Sequence, residues 1–210
     1  MTLIYLVRHG ETDWNREHRI QGSTDIALND TGRDQAATTG ELLSTRAWDG
    51  VYASPLSRAY ETGAIIARRL GLPEPGVVPE VAERRYGEAE GLTGDEIDAR
   101  FPGDTPVPGR ETREEVAART IPALVALAEQ HPGESIVVVS HGGVIRTVLM
   151  EVAPEAPFEP IRNGSVHSFR HTDGTLGLVA FDDPIEVRSL DCASDDIEDQ
   201  NAVESRESLV

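Results

Sequence analysis

Basic side chains stand at the ends of predicted strands in this sequence, where their types and positions suit the binding of an anion. Arg8 and His9 follow an apolar stretch and are followed at once by Gly10. Arg58 falls in the first turn of a predicted helix, where backbone N–H groups also favour negative charge. His141 follows the strongest predicted strand, again before a glycine. Because buried basic groups are costly unless an anion pairs with them, this repetition indicates an anion-binding site.

A structural role is the alternative for each of these residues taken alone. A histidine after a strand is commonly a hydrogen-bonded structural residue. Arg58 and His141 would equally suit a network in which Asp or Glu pairs with them. The anion-binding interpretation therefore depends on the three strand ends lying together.

The basic residues of the chain are all arginine, although the protein is acidic. The sequence has 19 Lys plus Arg residues, and none of them is Lys. This composition excludes Walker A, Schiff-base and kinase-type lysines and leaves planar donor forks that match phosphate and carboxylate oxygens. The net charge of −18 argues against a general nucleic-acid or anionic-membrane surface, since both would be repelled. An anionic ligand must therefore meet a local basic pocket.

Alternating strands and helices are predicted to carry these residues. Apolar runs predict strands over 3–8, 51–54 and 134–140, and helical spacing predicts helices over 31–46, 57–71, 111–131 and 143–151. Ser57 is the expected N-cap of the second helix and Gly71 its end. Two antiparallel strands are expected around Gly174. This order predicts an α/β fold, a three-layer α/β/α sandwich with a mostly parallel central sheet.

One domain over residues 1–190 and an acidic, flexible tail over residues 191–210 are expected. The chain of 210 residues is long enough for one core, and no Pro/Gly/Ser-rich linker divides it. The tail has seven acidic residues against one arginine, a composition typical of flexible segments. Capping of a partner subunit is the alternative for the tail, so the oligomeric state stays open between a monomer and a homodimer.

The sequence predicts a cytoplasmic protein that has no disulfide framework and no metal site. The single Cys192 excludes an internal disulfide and a Cys-rich metal site. No apolar stretch reaches the roughly 20 residues that span a bilayer, and the chain begins directly with a predicted strand. His167 and His171 have a zinc-like interval, but they lie in a predicted strand without further ligands and are expected at the surface.

Five stretches of the sequence, taken together, resemble the histidine phosphatase superfamily, the phosphoglycerate-mutase-like group. They are RHGETDWN at 8–15, TDIALNDTGRDQA at 24–36, SPLSRAYET at 54–62, ERRYGEAEG at 83–91 and SHGG at 140–143. The resemblance runs from about residue 3 to residue 182, with the motifs in the family's order. It implies the family's α/β fold and phosphoryl transfer through a phosphohistidine, without a metal or a cofactor.

The resemblance also implies roles for residues of these motifs. His9 would attack phosphorus with a neutral ring nitrogen, while Arg8, Arg58 and His141 hold the phosphoryl oxygens. Glu83 matches the general acid, which protonates the leaving alkoxide and then activates water. Four further residues match positions that line the phosphate or substrate in relatives: Asn15, Gln21, Gly22 and Gly142.

Alternatives remain for two of these roles. Glu88 and Glu90 compete with Glu83 as the acid, although by motif position Glu90 resembles a second, structural carboxylate and Glu88 a surface residue. For Gln21, the alternative to substrate binding is a place in a solvated polar loop.

The expected reaction is hydrolysis of the phosphate monoester of a small metabolite. ERRYG at 83–87 resembles the phosphoglycerate mutases, but these place a lysine shortly afterwards and carry a longer insertion with paired arginines. Here residues 92–112 are short and contain no lysine. An open pocket would admit water to the phosphoenzyme, which favours a phosphatase over a mutase. A cofactor-dependent phosphoglycerate mutase and a non-catalytic phospho-ligand-binding module are the alternatives. Sugar phosphates, phosphoglycerate derivatives, ribazole phosphate and nucleotides remain candidate substrates.

Overall fold

The central sheet is built from strands that occur mostly in parallel pairs. The computed structural model describes residues 1–155 and 160–183, so the predicted tail lies outside the described residues. Its strands are β1 (Thr2–Arg8), β2 (Gly50–Ala53), β3 (Gly76–Val77), β4 (Ser135–Ser140), β5 (Val166–Thr172) and β6 (Thr175–Ala180). They form one sheet in the order β3-β2-β4-β1-β5-β6. The pairs among β1 to β4 are parallel, whereas β5 and β6 add antiparallel pairs, and the predicted mostly parallel sheet is confirmed.

Helices connect these strands and flank the sheet. They are α1 (Asp13–Arg16), α2 (Asp30–Leu43), α3 (Ser57–Leu70), α4 (Gly94–Arg100), α5 (Arg113–Gln130) and α6 (Gly142–Val152). Helix α2 ends before residue 46, where the sequence placed its end, because Trp48 folds back and its indole N–H donates to the Leu43 carbonyl (2.6 Å). Within the described residues, no helix is both long and apolar enough to cross a membrane.

Alternating side chains of β1 show why the structure has three layers. Ile4 and Leu6 belong to a buried cluster that also contains residues of α5 and α6. Tyr5 and Val7 point to the opposite face and pack with residues of α2 and α3. Successive side chains of a strand alternate between the faces of a sheet, so an apolar run without polar interruption must be covered on both sides. The predicted α/β/α sandwich is therefore confirmed.

The first turn of α3 differs from the sequence expectation, because Ser57 is not its N-cap. The cap position is Leu56, whose side chain accepts no hydrogen bond. Asp25 reaches over from an earlier loop, and its Oδ1 accepts hydrogen bonds from the backbone N of Ser57 (2.8 Å) and from its hydroxyl (2.7 Å). Gly71 ends the helix as predicted, in the left-handed conformation with φ at 70°.

Two short helices, α1 and α4, were not predicted. With four and seven residues, they are too short to show an apolar period. Each begins with a reciprocal cap, Thr12 with Asn15 in α1 and Thr93 with Glu96 in α4. A Thr followed three residues later by a side chain that can reach back is the sequence signal that would have indicated both.

The expected surface position of His167 and His171 is wrong, because both side chains are buried. They lie on β5, which is enclosed in the sheet between β1 and β6. The backbone N of Asp182 donates to His167 Nδ1 (3.1 Å), and Nε2 lies 2.9 Å from the Ser165 hydroxyl. Burial, reinforced by the charge of Arg146, lowers the pKa of His167 to about 3. Within residues 1–155 and 160–183, no group of three His, Cys, Asp or Glu side chains could hold a metal ion.

The cap of α3 leads to a prediction about stability. Asp25→Ala should lower the free energy of unfolding by about 1 kcal/mol, because the first turn of α3 loses the oxygen that satisfies its backbone N–H. Urea denaturation at neutral pH measures this change. Ser57→Ala is the matched comparison, since it removes only the hydroxyl and leaves the backbone bond to Asp25. A loss for Ser57→Ala that equals or exceeds the loss for Asp25→Ala would contradict the cap described here.

Candidate active site

The carboxyl ends of β1 and β4 bring two histidines together. The strands are parallel neighbours, and Arg8 at the end of β1 is in register with Ser140 at the end of β4. His9 and His141 therefore leave the sheet side by side, with ring centroids 5.1 Å apart and ring planes at 61°. Arg58, from the first turn of α3, reaches the same place with its guanidinium group. The structure thus brings together the basic groups of three strand ends.

The turn after β1 fixes both the tautomer and the position of the His9 ring. His9 Nδ1 lies 2.7 Å from the carbonyl oxygen of Gly10. Because a carbonyl only accepts, Nδ1 carries the ring proton and Nε2 keeps its lone pair. The turn packs backbone to backbone against the start of α2, since a Cβ atom on Gly10 would lie 2.2 Å from the carbonyl oxygen of Gly32. The ring therefore projects from a turn that has no room to move.

The surroundings of His9 favour its neutral form. The residue is 2% exposed, and the Nε–H group of Arg58 donates to its Nε2 (3.3 Å). Burial lowers the pKa of His9 well below its ordinary value, and the positive charges of Arg58 and Arg8 lower it further. An unprotonated ring nitrogen thus faces a guanidinium group, which is the arrangement of a nucleophile beside an anion site.

Arg58 is 0% exposed and is held by oxygen atoms as well as by His9. Its two terminal nitrogens donate to the carbonyl oxygens of Thr24 (2.8 Å) and Gly22 (2.7 Å). Burial lowers the pKa of Arg58 to about 10, an effect that the carboxylates of Glu83 and Asp25 partly offset. The guanidinium therefore stays charged at neutral pH. With the bond to His9, three of its five N–H groups have these partners, and two can serve a ligand.

Arg8 and His141 complete the basic groups of the site. Arg8 donates to the carbonyl oxygen of Ile161 (2.5 Å) and lies against Gly142, where a Cβ atom would be 3.5 Å from Arg8 Nε. His141 is buried, and its Nε2 lies 2.8 Å from the Ser54 hydroxyl, while its Nδ1 has no hydrogen-bond partner within the described residues. Burial lowers the pKa of His141 well below its ordinary value, and Arg58 adds to this effect.

Glu83 is the carboxylate of the site. It is 4% exposed, and its Oε2 accepts a hydrogen bond from the backbone N of Gly143 (3.3 Å), at the start of α6. Its Oε1 accepts from the backbone N of Arg84 (2.8 Å). Glu83 is thus hydrogen-bonded to the first turn of α6, at a residue two positions after His141 in the sequence.

An ion pair that was not predicted from the sequence supports the segment of Glu83. Arg119 donates to the carbonyl oxygen of Glu83 (3.3 Å) and, through two nitrogens, to the carboxylate of Glu111 (2.8 and 3.1 Å). The same carboxylate accepts from the backbone N of Arg85 (3.1 Å). Burial opposes ionisation of Glu111, but these hydrogen bonds outweigh it and hold its pKa below the ordinary value. The pair lies 26 residues or more from the backbone groups that it contacts at residues 83–85, and no local pattern indicates these contacts.

The two competing glutamates occupy other environments. Glu88 is exposed and forms an ion pair with Arg100. Glu90 is half-buried, and its carboxylate accepts hydrogen bonds from Ser23, Thr24 and Tyr86. Neither carboxylate shares the Gly143 contact of Glu83. The geometry therefore favours Glu83 among the three.

The polar residues expected to line the substrate are buried around this site, with different contacts. Asn15 Oδ1 accepts from Thr12 at the cap of α1, and it lies 3.5 Å from Asn163 Nδ2, which donates to the His9 carbonyl (2.9 Å). Gln21 is buried rather than solvated, and its Oε1 has no hydrogen-bond partner within the described ranges. Gly22 contributes its carbonyl oxygen to Arg58. Asn163 was missed, because only the fold brings it to the first strand.

Comparisons with known proteins find phosphatases and phosphoglycerate mutases among the relatives of this chain. A profile of the histidine phosphatase superfamily (branch 1) matches residues 4–184. The chain is 41% identical over 157 residues to a Bacillus subtilis protein named uncharacterized phosphatase PhoE, covering 75% of this chain and 80% of that protein. It is 36% identical to an Arabidopsis thaliana metal-independent phosphoserine phosphatase, over 80% of this chain and 75% of that one. The relatives also include 2,3-bisphosphoglycerate-dependent phosphoglycerate mutases.

A solved structure shares the fold over most of the chain. It is that of a mycobacterial glucosyl-3-phosphoglycerate phosphatase in complex with VO3. The TM-score is 0.77 at 30% sequence identity, and the match covers 85% of this chain and 98% of that one. The phosphoglycerate-mutase-like fold predicted from the motifs is confirmed by this likeness.

The two histidines of the site, His9 and His141, lead to a prediction about pH. Their lowered pKa values keep them neutral in the folded state, while the unfolded chain takes up protons below about pH 6.5. Stability contributed by the neutral rings is therefore complete above that pH and is lost as the pH falls. His141→Gln should reduce the slope of unfolding free energy between pH 6 and pH 5 by about 1 kcal/mol per pH unit. Urea denaturation at several pH values measures the slope, and an unchanged slope would contradict the prediction.

Proposed function

We propose that this chain, which belongs to the histidine phosphatase superfamily (branch 1), hydrolyses phosphate monoesters of small metabolites through a phosphohistidine on His9. The observation that carries the proposal is the His9 ring, neutral, with its Nε2 lone pair directed at the guanidinium of Arg58. A nitrogen nucleophile beside buried positive charge suits attack on an anionic electrophile, and the phosphorus of a phosphate monoester is such a centre.

Arg8, Arg58 and His141 form the proposed cradle for the phosphoryl oxygens. The two guanidinium groups are buried, so a dianionic ligand would compensate charges that the interior otherwise disfavours. Their planar forks match the geometry of phosphate oxygens. If the Ser54 hydroxyl donates to His141 Nε2, then His141 Nδ1 carries the ring proton and can donate it to a phosphoryl oxygen.

In the first chemical step, a bond forms between His9 Nε2 and phosphorus while the bond from phosphorus to the ester oxygen breaks. Glu83 gives a proton to the departing oxygen. The negative charge of the bound phosphate favours the protonated carboxyl group that this step requires. The guanidinium groups are already in place, so they stabilise charge in the transition state without having to move.

In the second step, water replaces the histidine. The Glu83 carboxylate accepts a proton from water, the water oxygen bonds to phosphorus, and the bond from phosphorus to Nε2 breaks. His9 regains its lone pair and inorganic phosphate leaves. Arginine supplies positive charge that Mg²⁺ supplies in other phosphoryl-transfer enzymes, and the Arabidopsis relative named metal-independent supports this assignment.

Phosphoglycerate mutase activity is the second candidate, because mutases are among the relatives. A mutase must grip the substrate carboxylate while the intermediate reorients. The segment at 92–112 contains no lysine, and Arg84 is engaged elsewhere, with its Nε donating to the Glu111 carbonyl (2.7 Å). Arg84 also lies with its guanidinium carbon 5.4 Å from the centroid of the Tyr86 ring. These contacts support hydrolysis over isomerisation.

The reaction type is tested with 3-phosphoglycerate and a catalytic amount of 2,3-bisphosphoglycerate. We expect little 2-phosphoglycerate, because residues 92–112 contain no lysine to hold the carboxylate and Arg84 is already engaged. We expect phosphate release from at least one member of a phosphomonoester panel. The panel should contain glucosyl-3-phosphoglycerate, phosphoserine, ribazole phosphate, sugar phosphates and nucleotides, ranked by kcat/KM. Activity should persist in EDTA.

Two outcomes of the same assay would contradict the proposal. Efficient interconversion of the phosphoglycerates with negligible hydrolysis would identify a mutase, with Arg84 or Arg110 as candidates for the clamp. A His9→Ala variant that keeps near-normal turnover would exclude the phosphohistidine. The expected loss for that variant is several orders of magnitude, together with the absence of an acid-labile phosphoenzyme.

The proposed acid has a prediction of its own. Glu83→Gln should reduce kcat/KM for an alkyl phosphate by about 100-fold or more, since an alkoxide leaves poorly without a proton. The loss for p-nitrophenyl phosphate should be much smaller, because its phenolate needs no protonation. Glu88→Gln is the matched control and should change neither value. Equal losses on both substrates would remove Glu83 from the role of acid.

A further inference from the structure

We propose that Glu90 is a positioning residue for phosphoryl transfer, which sets the place of Arg58 through the backbone of residues 22–25. We call residues 22–25 the arginine loop. The inference rests on the proposed function, in which Arg58 holds the phosphoryl oxygens. It assigns to Glu90 an action through Arg58 and no contact with substrate.

Arg58 takes its position from the arginine loop. Its two terminal nitrogens donate to the carbonyl oxygens of Gly22 (2.7 Å) and Thr24 (2.8 Å). The loop also supplies Asp25, whose carboxylate accepts from the backbone N of Ser57, directly before Arg58. The guanidinium and the helix that carries it are therefore both fixed by this one loop.

Glu90 in turn holds the arginine loop. Its carboxylate accepts hydrogen bonds from the backbone N of Ser23 (2.9 Å) and from that of Thr24 (3.0 Å). The hydroxyl of Thr24 donates to it at 2.6 Å, and the hydroxyl of Ser23 at 3.0 Å. These donors come from the residue between the two carbonyls that hold Arg58 and from the residue that carries the second of them. A displaced carboxylate would therefore displace the carbonyls.

The same carboxylate also contacts the segment of Glu83. Glu90 Oε1 also accepts from the backbone N of Tyr86 (3.0 Å), three residues after Glu83. One side chain thus connects the loop that places the arginine to the segment that places the proposed acid. Preorganised donors stabilise a transition state only when their positions are fixed in this way.

The contacts require a carboxylate at this position rather than an amide. Burial opposes ionisation of Glu90, but the hydrogen bonds from Thr24, Ser23 and Tyr86 outweigh it and hold its pKa below the ordinary value. An amide would turn an NH₂ group toward N–H or O–H donors. The loop also packs closely on this side chain, since a Cβ atom on Gly22 would lie 2.2 Å from Glu90 Oε1.

The test measures the binding of vanadate and of orthophosphate by titration calorimetry on the full chain. Glu90→Gln should weaken the binding of vanadate at least about tenfold, because displacing a preorganised group by a fraction of an ångström weakens transition-state-like binding. The binding of orthophosphate should weaken less. Glu88 lies two residues away on the surface, and Glu88→Gln should keep both affinities within about twofold of the wild-type values. Equal, near-wild-type affinities in Glu90→Gln would overturn the proposal.

A double-mutant cycle separates positioning from a general structural effect. If Glu90 acts through Arg58, Glu90→Gln should change vanadate affinity by less than about twofold in an Arg58→Ala background. A full tenfold loss in that background would overturn the proposal. The pair Thr24→Val and Thr24→Ser provides a second test that leaves Glu90 in place. Thr24→Val lacks the hydroxyl and should weaken vanadate binding, whereas Thr24→Ser keeps it and should bind vanadate like the wild type. Equal affinities for the two variants would count against the inference.

The readout also separates this inference from the proposed function. Wild-type protein that binds neither vanadate nor orthophosphate would overturn the proposed function and the inference with it. Wild-type protein that binds both, with no change in Glu90→Gln, would leave the phosphatase proposal intact and remove only the role of Glu90.

Discussion

A guanidinium group with no exposed surface must be surrounded by hydrogen-bond acceptors, and this requirement at Arg58 organises the site. Two backbone carbonyls and a histidine nitrogen accept from it, and the carboxylates of Glu83, Asp25 and Glu90 lie near enough to favour its charge. The loop that supplies the carbonyls is in turn hydrogen-bonded through its backbone to the carboxylate of Glu90. The geometry of the pocket thus follows from keeping one positive charge inside the protein.

Burial, reinforced by the same buried charges, keeps two histidines in the site neutral. Burial has the larger effect on the pKa of His9 and of His141, and Arg58 and Arg8 lower both values further. A field that removes a proton from imidazole also attracts a phosphate, so in the proposed reaction one arrangement of arginines would serve both the nucleophile and its target. This local field exists within a chain of net charge −18. The net charge repels an anion at long range, so the arginines of the pocket would have to supply the local attraction for the proposed substrate.

The sequence indicated those parts of the site that follow from the order of strands. His9 and His141 each come directly after an apolar run, and parallel pairing of β1 with β4 is enough to bring them together. The contacts that hold them came from elsewhere. Asp25 caps α3, Arg119 with Glu111 supports Glu83, and Asn163 reaches the His9 carbonyl. Each of these side chains lies 26 residues or more from the backbone group that it contacts, so neither periodicity nor a local motif reveals the contact. The burial of His167 was missed for a related reason, because a strand pattern does not show that Phe181 and Asp182, which follow β6, lie against its ring.

The contact between Gly10 and Gly32 determines where this chain tolerates variation. Two backbones that touch without side chains between them leave no space for insertion or substitution, so the turn that carries His9 is closed to variation. Residues 92–112 are different, because most of them are exposed and they include the short helix α4. Substitutions at exposed positions usually cost little stability. Changes can therefore accumulate in residues 92–112 while the turn that carries His9 keeps its shape.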